Sequence, residues 1–186
     1  GDILWYVARV TYSRETILKE FLDSRNIENF LPMRYEYTLK GRKKVRKLVP
    51  AIHNFVFIHS SKETIDRIKR ETEYKCPIRY MVNSQREIIT VPNEQMKSFI
   101  AVSGTYNEQI QFLSGTEKNY KVGDLVRVID GEFAGVEGRL IKVQGSKYRQ
   151  LIVEIHGVMA VITAKIHPSL MAVSYTHLRA HETLRH

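Results

Sequence analysis

Apolar and polar positions follow two different periods along this chain. Leu4, Trp5, Tyr6, Val7 and Val10 form an apolar, β-rich run closed by Thr11–Ser13, the pattern of a buried strand. Ile17, Leu18, Phe21 and Leu22 then recur at helical spacing, with Ser13 placed to cap the helix and Asn26 to end it. Ile27–Pro32 and Met33–Thr38 read as extended, Gly41 supplies a turn, and Leu48–Ile58 returns as an apolar strand. Pro50, His53 and Asn54 predict a bend or bulge inside that strand. The pair is a hairpin with a charged tip. Ser60 and Glu63 form a capping-box signature, opening a helix to about Glu71 with Ile65 and Ile68 facing inward. Tyr80–Val82 and Glu87–Val91 predict a short hairpin around Asn83 and Ser84, and Pro92-Asn93 opens a third helix carrying Met96, Phe99 and Ile100.

This order describes an α+β fold: a ferredoxin-like sandwich over residues 1–102, with helices on one face of an antiparallel sheet. Residues 103–119 contain two Ser-Gly-Thr triplets, the composition of a partly ordered linker. From Tyr120 the pattern changes to short β segments: Leu125–Ile129, Arg139–Val143, Leu151–Ile155, Met159–Thr163 and Ser169–Val173. Five such strands predict a small SH3-like β-barrel over 120–173, with Gly131, Gly135 and Gly138 permitting the turn and bulge between the first two. Residues 174–186 hold three of the seven histidines and do not continue the pattern; they read as a non-native or disordered tail, and a start at Gly1 suggests a trimmed chain. His177 and His181 are four apart, yet two ligands on a terminus do not make a metal site.

At 43% hydrophobic and 26% charged residues, the 186-residue chain can build cores, which excludes wholesale disorder. No apolar run approaches the ~18–20 residues that span a bilayer, and no secretory signal opens the sequence, so a cytoplasmic protein is expected. The sole cysteine, Cys76 before Pro77, excludes an internal disulfide and any zinc site built on paired cysteines; it reads as a packing residue. No phosphate-binding glycine loop, metalloprotease helix or serine elbow is present, and carboxylates such as Asp124 and Asp130 fall where turns need them. No catalytic residue, metal or cofactor is expected.

The net charge of +9 changes the picture once it is located. Lys40, Arg42, Lys43, Lys44, Arg46 and Lys47 supply six positive charges without an intervening acid, leaving +3 for the rest of the chain. Such a loop can contact DNA or RNA phosphates without reading sequence, or it can be a solvated tip that blocks edge pairing. With no aromatic inside the run, it lacks the stacking platform of a dedicated single-strand binder. If all six bases met duplex phosphates, log affinity would fall with log salt at a slope of about −5.

Lys121–Val143, KVGDLVRVIDGEFAGVEGRLIKV, resembles a KOW motif, and the first domain resembles the amino-terminal (NGN) domain of NusG-type transcription elongation factors. Trp5-Tyr6-Val7 matches the family's opening strand, Leu31-Pro32 the element after its first helix, and Pro50–Ile58 the strand near its polymerase-contacting surface. Within the family, the Asn54–Phe57 run and the short basic hairpin resemble the specialised antiterminators of surface-polysaccharide operons. His53 and Asn54 depart from the family's usual Pro-Gly or Pro-Asn. The resemblance implies a monomer acting in transcription elongation and antitermination. Its first domain would sit on the clamp helices of the largest RNA polymerase subunit, with Ile52 and Phe55 as contacts and Trp5 and Tyr12 beside them. It also implies a barrel that engages a ribosomal small-subunit protein or Rho, with Tyr120 and an exposed Phe133 at the contact positions. A ribosome- or RNA-associated KOW protein that binds nucleic acid directly is the alternative.

Overall fold

The computed structural model describes residues 1–114 and 121–174, and the chain divides into two compact units, Gly1–Met96 and Lys97–His186. In the first unit β1 (Leu4–Val10) and α1 (Glu15–Ser24) are followed by β2 (Glu28–Phe30), β3 (Met33–Lys40), β4 (Lys43–Pro50) and β5 (Phe55–Ser60). Next come α2 (Lys62–Thr72), β6 (Ile78–Tyr80) and β7 (Thr90–Val91). The main sheet is antiparallel in the order β2-β5-β1-β6, with β7 also on β1. That is the ferredoxin-like sandwich.

Strand alternation decides what each face buries. Tyr6, Ala8 and Val10 of β1 and Val56 and Ile58 of β5 pack with Leu18 and Leu22 of α1 and Ile65 and Ile68 of α2 in one core cluster. Trp5, Val7 and Arg9 point to the opposite face, with Phe55, Phe57 and His59 beside them by register. Cys76 joins the helix-side core; burial pushes its thiol pKa up, which makes it inert packing. α2 is tied to β6 by the Tyr80 hydroxyl, which donates to Asp66 Oδ1 at 2.6 Å, while Lys62 donates to Oδ2 at 3.0 Å. Those bonds, the Tyr80 one foremost, hold the Asp66 pKa below its usual value.

Two helix starts differ from expectation. Ser13 does not cap α1, because it and Tyr12 both sit at φ +57°, a left-handed conformation incompatible with the extended N-cap; α1 begins after Arg14 with no side-chain cap. α2 is capped by Ser61, whose Oγ accepts from the Thr64 N–H at 3.2 Å, while Ser60 belongs to β5, paired with Leu4. Asn26 ends the first helix as expected, at φ +55°, with Ile27 N–H reaching Leu22 O at 3.0 Å.

The division between units falls within α3 (Asn93–Ser103). The second unit continues with β8 (Gln111–Ser114), β9 (Leu125–Val128), β10 (Glu137–Lys142), β11 (Arg149–Ile155), β12 (Met159–Ile162) and β13 (Met171–Val173), in the spatial order β13-β9-β10-β11-β12-β8. β8 corrects the linker expectation. Phe112 and Leu113 pair with Val161 and Ala160, so part of the 103–119 segment closes the β12 edge of the sheet. Leu113 is buried there with Ile141, Ile152, Ala160 and Ile162. Ser98 of α3 also belongs to this unit, its Oγ accepting the Glu137 N–H at 3.1 Å. Ser174, first residue of the expected tail, is buried, its N–H on Leu125 O and its hydroxyl on Glu137; the rest of that tail, with His177 and His181, lies outside the described residues.

Candidate functional site

The bend expected near His53 is a tight turn, residues 51–54, between β4 and β5. Its exit is fixed by two hydrogen bonds, one to a neighbouring strand's backbone and one to a side chain. Val10 N–H donates to Asn54 O at 3.0 Å, and Asn54 N–H donates to Glu15 Oε1 at 2.6 Å. Asn54 is at φ +80°, a region asparagine tolerates better than most residues. Glu15 is buried in the first turn of α1, where the helix dipole favours a carboxylate, and His53 Nδ1 lies 3.9 Å from the same oxygen. One of the turn's anchors is therefore a buried carboxylate, a residue whose role no sequence pattern signals. Glu15→Ala is expected to cost about 1–3 kcal/mol by orphaning the Asn54 N–H. Glu15→Gln, which keeps an acceptor, recovers most of it; urea unfolding of both variants checks this.

This turn brings three of the four expected polymerase-contact residues to one end of the sheet. Ile52 and Phe55 are half-buried on either side of His53-Asn54, and the Arg9 guanidinium sits 6.0 Å from the Phe55 ring centroid. Tyr12 is 84% exposed, two residues beyond Val10, with Arg14 at 5.4 Å from its ring. Successive left-handed residues at Tyr12 and Ser13 cost roughly 1–2 kcal/mol each, strain of the kind that collects at functional sites. Trp5 differs: it is 5% exposed, at the far end of β1, its ring stacked on His59 at 4.6 Å.

The six bases lie on a two-stranded ribbon, β3 and β4, in register from Met33↔Pro50 to Lys40↔Lys43. Gly41 and Arg42 form its two-residue loop, with Gly41 at φ +64° as a type II′ connection requires. Alternation splits the bases. Lys44 and Arg46 share one face with Tyr35, Tyr37, Leu39 and Leu48, whereas Lys40, Lys43 and Lys47 share the other. On the first face Arg46 lies 4.1 Å from the Tyr35 ring centroid and Lys44 4.3 Å from that of Tyr37, both diagonal pairs, and Leu39 is 75% exposed beyond them.

Aromatics do interleave with the cations, contrary to the reading of the basic run alone. They come from the strand before the turn. Folding Tyr35 and Tyr37 about Gly41 onto Arg46 and Lys44 is the signal that finds them.

Phe133 also differs from expectation, being 6% exposed. Gly131 and Gly135, at φ +87° and +91°, curl the tip back: Ala134 N–H reaches Gly131 O at 3.1 Å and Gly135 N–H reaches Val128 O at 2.8 Å. The tip folds onto its own strand. Tyr120 lies outside the described residues. Among the described residues no group of three His, Cys, Asp or Glu is arranged to hold a metal, and no helix is long and apolar enough to cross a membrane.

Comparison with known proteins bears on both units. The family model described as "Transcription termination factor nusG" matches residues 4–100, and the KOW motif model matches residues 122–156. A search of curated proteins found no match. Among solved structures the chain is similar to NusG of Thermotoga maritima, in a structure described as "Domain interaction in Thermotoga maritima NusG". Identity is 16%, covering 92% of this chain and 97% of that one, with a TM-score of 0.46.

Proposed function

We propose, given that the chain belongs to the NusG family of transcription factors, that it is an elongation and antitermination factor that binds RNA polymerase through its amino-terminal domain. The family's domains point to a factor that acts by binding and not by catalysis. The observation that carries the interface is the Glu15-held turn. It fixes two half-buried apolar side chains, Ile52 and Phe55, beside the exposed Tyr12, with Arg9 and Arg14 around them: an apolar anchor with a charged rim, as protein interfaces are built. We assign these residues to the clamp helices of the largest polymerase subunit; Trp5, buried at the far end of β1 against His59, is core packing away from them. Retention of polymerase by the immobilised chain tests this. Ile52→Asp with Phe55→Asp should lower retention at least ten-fold, and unchanged retention by a double variant with parental circular dichroism sinks the interface.

The KOW barrel, 120–173, is on this reading the adaptor for a second factor, a ribosomal small-subunit protein or Rho. Phe133 in its curled tip would reach such a partner only if the tip opened.

The ribbon supports a further contact, with the nucleic acid passing the polymerase. Because its bases are divided between two faces, a straight duplex meets Lys40, Lys43 and Lys47, with Arg42 at the tip, or Lys44 and Arg46, but not all six. The expected slope of log affinity against log salt is therefore about −3.6 for the four-cation face and about −2 for the face of Lys44 and Arg46, rather than about −5. A titration of duplex DNA between low and moderate salt measures it; a slope near −5 would show that the ribbon twists enough to present both faces.

A further inference from the structure

The ribbon's two faces differ in kind, and not only in which cations they carry. From tip to base, the face bearing Lys44 and Arg46 runs in cross-strand rows: Leu39 with Lys44, Tyr37 with Arg46, and Tyr35 with Leu48. It sets two cations among apolar and aromatic side chains and holds no acid. The other face carries Arg34, Lys40, Lys43 and Lys47, with Glu36 directly opposite Lys47, and its apolar members are Val45 and Val49. Both valines are half-buried, whereas Tyr37 and Leu39 are 42% and 75% exposed.

A phosphate contact does not need such side chains. A duplex backbone meets cations and offers Leu39 no apolar surface. The tyrosines are not an open stacking platform either, because Arg46 and Lys44 lie over the Tyr35 and Tyr37 rings, 4.1 and 4.3 Å from their centroids, and each covers a ring face. Those contacts also prepare the cations. A side chain already laid on a ring has less rotamer freedom to lose on binding, and a stacked guanidinium keeps its in-plane N–H donors for a carboxylate.

Spacing defines what fits. Lys44 and Arg46 are two residues apart on one strand, about 6.6 Å along it, and an extended peptide repeats its side chains on one side at the same distance. Carboxylates at positions i and i+2 of such a peptide meet both cations. Apolar side chains at i−2 and i+4 then fall beside Leu39 at the tip and on Leu48 and Tyr35 toward the base. A second copy of this ribbon is excluded as the occupant, since it would bring like charges together.

We propose that this face, Tyr35, Tyr37, Leu39, Lys44, Arg46 and Leu48, is a docking surface for an extended acidic segment of a partner protein, with carboxylates two residues apart and apolar side chains flanking them. It leaves Lys40, Lys43 and Lys47 to a duplex and does not depend on that contact.

Anisotropy of a fluorescent peptide with blocked ends, Leu-Thr-Glu-Thr-Glu-Thr-Leu, on the full chain tests this. Lys44→Ala with Arg46→Ala should weaken binding about ten-fold and Leu39→Ser about three-fold. Lys43→Ala with Lys47→Ala, on the other face, should change it less than about two-fold. The isomer Leu-Thr-Glu-Glu-Thr-Thr-Leu, equal in charge, turns one carboxylate away and should bind about five-fold less tightly. Absence of saturable binding, parental affinity in the Lys44 and Arg46 double variant, equal loss from the Lys43 and Lys47 pair, or equal binding of the isomer overturns the proposal. Displacement of the peptide by twelve-base-pair duplex DNA that persists after Lys43→Ala with Lys47→Ala also overturns it, by giving this face to nucleic acid. If the parental chain binds no duplex, the ribbon's nucleic-acid contact fails while the peptide measurement stands. Lys43, Lys44, Arg46, Lys47 and Leu39 are exposed, so their replacement spares the core.

Discussion

Phe57→Ala is expected to destabilise the first unit by about 3–5 kcal/mol, a large share of the roughly 5–15 kcal/mol that holds a typical domain folded. Phe57 is fully buried in the middle of β5, paired with Val7 on one side and Phe30 on the other. Truncation removes the ring's transfer energy and leaves a void between strands whose hydrogen bonds prevent collapse. Phe55, two residues away on the same face, is half-buried at the strand end, and Phe55→Ala should cost far less. Urea unfolding followed by circular dichroism measures both, with the midpoint falling and the slope unchanged. A cost below about 1 kcal/mol for Phe57→Ala would mean that this face of the sheet is far looser than its burial implies.

Gly138→Val should disrupt the barrel. A Cβ at this position would stand 2.8 Å from the Ile152 carbonyl oxygen, 3.2 Å from Leu151 Cβ and 3.3 Å from a Val153 methyl. The first contact is backbone, so no side-chain rotation relieves it. β10 must then move off β11, along the ladder that pairs Arg139 with Ile152. Overpacking typically costs about 1–3 kcal/mol, and a branched side chain against backbone belongs at or above the upper end. Loss of methyl dispersion for Leu151 and Val153 in NMR spectra is the expected signature. Retention of parental shifts would show that the two strands separate cheaply. Gly41→Ala makes the contrast: nothing lies within 4 Å of its Cβ, so only the left-handed backbone conformation is strained.

The apolar pattern made most of this fold legible: α1 and α2 each bury one face and repeat at 3.6 residues, while β1, β11 and β12, buried on both faces, stand out as short apolar runs. Local competition is where it failed. Two adjacent serines precede α2, and the choice between Ser60 and Ser61 is made by strand pairing with Leu4, information held fifty residues away. β8 is four residues with two apolar side chains, recognisable only against the β12 edge it covers. Ser13 looks like a cap until the chain has to reverse after β1. The site divides in the same way. The cations of the ribbon are plain in the sequence, but their separation onto two faces and their tyrosine partners follow from a register set by Gly41. Glu15 is an ordinary glutamate in a helical pattern, and only the folded turn shows what it holds.

The ribbon of β3 and β4 pairs with no other strand among the described residues, and its base is closed by the Ala51 N–H on the Pro32 carbonyl at 2.8 Å. That isolation makes residues 33–50 an exchangeable cassette. Lengthening both arms by two residues would extend the reach of the tip while returning every side chain to its original face. Lengthening both by one would exchange the faces at the tip and leave the sheet undisturbed. Evolution could retarget the tip by such steps without touching the core beneath it, so divergence among relatives of this chain should concentrate in this segment while β1 and β5 hold their register.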